Sequence, residues 1–148
     1  MLCTYCRAET HIINSRHQRR TNSTWRRRKC LRCGAVVTTI EQLDYEKSWR
    51  VDYPDTAQKR RNPASRPFLR DKLLLSVHQS LGHRPTALSD ALALTHTIVG
   101  KIGDSTDQGR IGSADIANAT LKALRRFDAA AATMYQAYHV DTLQGAGR

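Results

Sequence analysis

The sequence predicts an α+β protein: a small N-terminal β zinc ribbon, followed by a β-hairpin and four short helices. Three observations carry this reading. The cysteines fall in two pairs, Cys3-x-x-Cys6 and Cys30-x-x-Cys33. A short β-branched run follows each pair, and after Pro67 the apolar spacing becomes helical. With 148 residues, the chain divides into a ribbon over residues 1–45, a second domain over 46–140, and a disordered tail over 141–148.

The four cysteines are the metal set. Two CxxC knuckles joined by a loop present four thiolates tetrahedrally to one Zn²⁺, a closed and purely structural arrangement. Disulfides need an oxidising compartment, and Met1-Leu2-Cys3 leaves no room for a signal peptide, so reduced thiols are expected. A redox CxxC opens a helix in a βαβ context, which two symmetric pairs fit poorly. His11 and His17 lie in the loop and are alternative ligands, with Cys3, Cys6, Cys30 and Cys33 the favoured set.

Within the ribbon, His11–Ser15 and Ala35–Ile40 are suited to paired antiparallel strands, and Gly34 fits the tight turn after the second knuckle. The stretch 44–56 interleaves Tyr45, Trp49 and Tyr53, either a stacking platform for bases or, the favoured alternative, packing for a hinge between domains. Residues 50–67 form a candidate hairpin. Phe68, Leu69, Leu73, Leu74, Val77 and Leu81 make the apolar face of a first helix, stopped by Gly82. Pro85-Thr86 opens a second, with Leu88, Leu92, Ile98 or Val99, and Ile102, ended by Gly103. Gly103 to Gly112 is a loop, Ser113 caps a third helix carrying Ile116, Leu121, Leu124 and Phe127, and Asp128 caps a fourth with Met134, Tyr135 and Tyr138 on one face.

Charge points to the partner. The chain carries 24 Lys and Arg against 13 Asp and Glu, a net charge of +11. No acidic residue lies between Thr10 and Ile40, where Arg16, Arg19, Arg20, Arg26, Arg27, Arg28, Lys29 and Arg32 cluster. A metal-fixed basic loop is a nucleic-acid-binding head. With roughly six to eight phosphate contacts, log K falls with log salt at a slope of about −5 to −7. No apolar run approaches the ~20 residues of a membrane span.

Enzyme chemistry finds no support. A P-loop is missing, the carboxylates are scattered, and no nucleophile has a partner motif. In the second half, Lys59, Arg60 and Arg61 face Arg70 and Lys72 at the first turn of a helix. That is an anion site suited to a nucleoside triphosphate, or else a solvated cluster or an extra DNA contact.

The run Cys3-x-x-Cys6, Asn14-Ser15-Arg16, Trp25-Arg26-Arg27-Arg28-Lys29-Cys30-x-x-Cys33-Gly34 and Thr38-Thr39-x-Glu41 resembles the NrdR family of bacterial zinc-ribbon repressors of ribonucleotide reductase genes. The second half is similar to that family's ATP-cone domain at Arg60-Arg61-Asn62, Pro67-Phe68, Lys72-Leu73, Arg84-Pro85 and Ile111 to Tyr138. The resemblance implies double-stranded DNA and ATP or dATP as ligands, self-association into a homo-oligomer, and work in the bacterial cytoplasm on the nucleoid. On this transfer Arg26, Arg27 and Arg28 form the DNA-binding run, with Arg16 upstream; Trp25 and Lys29 flank the run and complete the candidate set. Arg60, Arg61 and Lys72 are the nucleotide positions, with Lys59 beside them. Asn14, Trp25, Pro63 and Arg66 stand where the family has Asp, Arg, Gly and Glu. The lid departures, Pro63 and Arg66, favour a second reading, a zinc-ribbon nucleic-acid adaptor whose degenerate cone serves only for oligomerisation.

Overall fold

The computed structural model describes residues 1–53, 65–139 and 142, and the chain forms two compact units, Met1–Leu43 and Asp44–Arg148. The expected hairpin turn with Lys59, Arg60 and Arg61, and the tail beyond Thr142, lie outside the described residues.

The first unit is a three-stranded antiparallel sheet, β1 (Thr10–Gln18), β2 (Ser23–Cys30) and β3 (Val36–Gln42), in the order β1-β2-β3. This corrects the sequence expectation. The two β-branched runs do not pair with each other; both pair with β2, the basic segment that reads as a loop in the sequence. Ser-Thr-Trp-Arg-Arg-Arg-Lys shows no apolar alternation, because neither face of this small sheet is fully covered and strand propensity depends on what the sheet packs against. A bulge between Ile12 and Asn14 shifts the β1–β2 register.

The second unit begins with a one-turn helix, α1 (Tyr45–Ser48), whose Asp44 side chain accepts from the Lys47 N–H. A small sheet follows: β4 (Arg50–Asp52) pairs antiparallel with β5 (Ser65–Pro67) and parallel with β6 (Arg110–Gly112). The β4–β5 pair is the expected hairpin. β6 was unexpected, since Gly103 to Gly112 reads as loop. Three residues are too few for a period of two to emerge, and the strand forms only because β4 offers it an edge. Its approach needs Gly109, at φ +78, where a Cβ would stand 2.5 Å from the Ser48 carbonyl oxygen.

Four helices share one core with this sheet: α2 (Arg70–Ser80), α3 (Ala87–Ser105), α4 (Ser113–Phe127) and α5 (Ala129–Tyr138). The core runs through Phe68, Val77, Leu81, Ile98, Ile102 and Leu124. Tyr45, Trp49 and Phe68 form an aromatic cluster, with ring centroids 4.7 Å apart for Tyr45–Trp49 and 5.4 Å for Trp49–Phe68. Trp49 is 8 % exposed within this unit's own core, so it offers no face for a base. Details of the helix reading change too. α3 runs past Gly103 to Ser105, and buries Ala91, Thr95, Ile98 and Ile102 while Leu88 and Leu92 are exposed. Ser113 is the first residue of α4 and makes no capping bond. Phe127, Met134 and Tyr138 are exposed, whereas Tyr135 is buried.

Asp128 caps α5 as expected: its Oδ1 accepts from the Ala131 N–H at 3.0 Å, while Oδ2 accepts from His83 Nε2 at 3.0 Å and Arg84 Nη1 at 3.1 Å. The Ala131 N–H first, then His83 and Arg84, hold its carboxyl down to about 2. A depressed carboxyl stabilises the fold above its unfolded value, near 4, and loses that contribution as pH falls towards 2. Asp128→Ala is therefore expected to lower Tm by several degrees at neutral pH, with the gap from wild type closing below about pH 4. Thermal denaturation across that range checks it, and a pH-independent gap would assign the cost to packing instead.

Candidate metal centre and nucleic-acid interface

The two knuckles have a common design. In each, the first cysteine's N–H donates to the carbonyl oxygen five residues on: Cys3 to Ala8 at 2.8 Å and Cys30 to Ala35 at 2.9 Å. In each, the residue after the second cysteine turns the chain with positive φ, Arg7 at 61° and Gly34 at 72°. Glycine takes this conformation freely, whereas Arg7 carries its steric cost, about 1–2 kcal/mol. The first knuckle therefore lacks the glycine that marks the second in the sequence.

These turns bring the four Sγ atoms within 4.8 Å of one another. The Cys3–Cys33 pair lies at 3.7 Å and the Cys6–Cys30 pair at 3.4 Å. A tetrahedral zinc with Zn–S near 2.3 Å requires S···S edges of about 3.8 Å, so the four cysteines fit the ion. Neither His11 nor His17 joins the group. The Arg32 and Cys33 N–H groups both donate to Cys30 Sγ at 3.4 Å. Those amides, Cys33 first, hold the Cys30 thiol down at about 6. Cys6 is pushed up to about 12: the Ala8 amide opposes the rise, but the proton shared with Cys30 and the loss of solvent outweigh it. The thiols that remain protonated give up their protons as a cation enters.

The candidate DNA residues lie on or beside β2, and the register separates them. Trp25, opposite Arg16 and Ile40, shares a face with Arg27, opposite Asn14 and Thr38, and with Lys29, opposite His11 and Val36. Arg26 and Arg28 occupy the other face. Arg16, Arg27 and Lys29 are exposed; Trp25, Arg26 and Arg28 are half-buried. Five of the six run consecutively from Trp25 to Lys29 and Arg16 joins them from β1, but the six are not one surface.

In the second unit a cavity of about 330 Å³ opens beside α2. Lys72, the one nucleotide candidate among the described residues, lines it along with Arg66, Phe68, Ser76, Ser113 and His139. Arg66 lies over the Tyr53 ring at 5.6 Å. His139 Nε2 and Ser76 Oγ are 2.8 Å apart, and the His139 ring stacks on Tyr135 at 4.2 Å. Burial first, then the charge of Lys72, lowers the His139 pKa. Ser76 was legible beside Lys72 as an i,i+4 neighbour on one helix face. His139 was not, since it arrives from 63 positions away through the packing of α5 on α2. Among the described residues no helix is long and apolar enough to cross a membrane.

Comparison with known proteins follows the same division. Residues 1–41 match the family model described as the transcriptional repressor NrdR-like N-terminal domain. Over the longer chain there is 30% identity to the transcriptional repressor NrdR of Symbiobacterium thermophilum, covering 88% of this chain and 81% of the relative. The protein of the same name from Tropheryma whipplei is 31% identical, with 100% and 95% covered. That of a Parafrankia strain is 32% identical, with 93% and 70% covered. With the four-thiol ribbon in place at one end and the likeness running through most of the helical unit, the chain belongs to the NrdR family of transcriptional repressors.

Proposed function

We propose that this protein is a zinc-dependent repressor of ribonucleotide reductase genes that binds double-stranded DNA through its ribbon and is regulated by ATP and dATP. The observation that carries this reading is the pairing of a basic, metal-stapled sheet with a second unit holding a cavity that Lys72 lines. When bound, the zinc supplies the folding free energy of the ribbon; the family is one of repressors, and no catalytic role is assigned to any residue. Arg16, Trp25, Arg26, Arg27, Arg28 and Lys29 are the DNA candidates, and Lys59, Arg60, Arg61 and Lys72 the nucleotide candidates. A purine fits the apolar wall made by Phe68, Leu73 and Ile116, and Lys72 with Arg66 supplies positive charge for phosphates. Nucleotide exchange in this cavity alters self-association, and with it the grip on promoter boxes. Such a regulator works in the bacterial cytoplasm, on the nucleoid.

The test is calorimetric titration of the zinc-loaded protein with ATP and with dATP, with light scattering on the same samples. Binding with a nucleotide-specific change in mass is expected. Lys72→Ala is expected to weaken nucleotide binding roughly ten- to a hundredfold, the worth of a charge-assisted contact, without changing zinc content. The largely apolar lining of the cavity favours the second reading, an adaptor whose helical unit serves only for oligomerisation. Absence of binding by either nucleotide would establish that reading.

A further inference from the structure

We propose that the ribbon sheet has one DNA-gripping face, built on Arg16, Arg27 and Lys29 around Trp25, and that Arg26 and Arg28 on the opposite face brace the sheet instead of touching DNA. This rests on the reading of the ribbon as a duplex-binding module and divides the arginine run in two.

The division follows from strand register. Opposed residues in an antiparallel ladder project to the same side, and neighbours along a strand project to opposite sides. Arg27 opposite Asn14 and Thr38, and Lys29 opposite His11 and Val36, therefore share a surface with the Arg16–Trp25–Ile40 row. No carboxylate lies on this face in any of the three strands. Its cations are exposed, and among the contacts found in the structure none ties them to a partner side chain. Trp25 and Ile40 place an apolar spot among them, suited to sugar and base edges between phosphate contacts.

The opposite face is different. Arg26 is closed onto Glu41 across β2 and β3, with Nη2 at 2.6 Å and Nε at 3.0 Å from the same carboxylate oxygen. Its side chain retains 30% exposure. Arg28 Nε donates to Thr39 Oγ1 at 3.3 Å, and that hydroxyl is placed to donate to the Arg26 carbonyl at 3.4 Å. A phosphate approaching this side meets Glu41, the one acidic side chain in the three strands, and must break a chelated ion pair. Charge composition alone treats the run as a unit; the pleat assigns its members alternately to partner and scaffold.

The experiment is fluorescence anisotropy of the zinc-loaded full chain on a labelled duplex across a potassium chloride series, with zinc content and circular dichroism as checks of folding. Each contacted phosphate contributes about one to the slope of log K against log salt. Arg27→Ala and Lys29→Ala are each expected to flatten the slope by about one, and the pair by about two. Arg28→Ala, Arg26→Gln and Glu41→Gln are expected to leave it at the wild-type value. A slope flattened as much by Arg26→Gln or Arg28→Ala as by Arg27→Ala overturns the division, as does an unchanged slope in the Arg27→Ala/Lys29→Ala double variant. A wild-type protein that binds no duplex overturns the DNA reading itself, and the face with it.

Discussion

Replacing Cys30 by serine is expected to strip the metal from the ribbon and unfold Met1–Leu43, while the helices of Asp44–Arg148 keep their circular dichroism. The reason is how little else holds the first unit. Among its described residues only Cys3, Ser23 and Cys30 are buried, and two of these are metal ligands. Ile12, Ile13, Val36 and Ile40 are all exposed, so the sheet has no apolar core to fall back on. In modules of this size a structural zinc supplies about 10–16 kcal/mol of apparent binding free energy, which is folding free energy. Cys30 also has two amide donors on its sulfur, which lower its pKa. Serine offers neither a thiolate nor a comparable acceptor at that point. Zinc stoichiometry, far-ultraviolet circular dichroism and limited trypsin digestion read the outcome together. Loss of zinc with rapid cleavage in the arginine-rich strand is expected; full zinc retention and a resistant ribbon would remove Cys30 from the metal set.

Leu124→Ala is expected to destabilise the second unit by about 3–5 kcal/mol, a fall in Tm of about 10 °C or more. Leu124 has 0% exposure in α4, which packs against both α3 and α5. Truncation there leaves a void that rigid helices close only in part. Leu92→Ala is the matched control. The spacing of apolar residues places Leu92 in the core, yet it is 43% exposed, so its loss is expected to cost about 0.5 kcal/mol or less. Equal shifts for the two variants, measured by chemical and thermal denaturation, would mean that the burial assigned to α3 and α4 is wrong. Neither substitution is expected to alter zinc content, because the four thiols lie in the first unit.

Local rules were enough wherever the chain acts on its near neighbours. The spacing of Cys3, Cys6, Cys30 and Cys33 determined the metal set, because a CxxC loop can close only on itself and its twin. Asp128 was readable as a cap from one residue type at one helix start. The ends of the hairpin, the four helices and the basic character of the ribbon followed from punctuation, period and charge.

Only the tertiary structure decided what depends on a partner element. The Arg26–Arg28 run became a central strand because β1 and β3 both needed an edge, and that pairing, not charge, put Arg27 on one face and Arg26 against Glu41 on the other. Arg110–Gly112 became a strand because β4 was there to receive it, and Gly109 because Ser48 leaves no room for a Cβ. Likewise α3 turned Ala91 and Thr95 inward in place of the larger Leu88 and Leu92, since close-packed helices accept small residues at their contacts. His139 reached the cavity beside Lys72 only through the packing of α5 on α2. Local chemistry is written residue by residue and can be read that way, whereas register and helix facing are set by what each element meets across space.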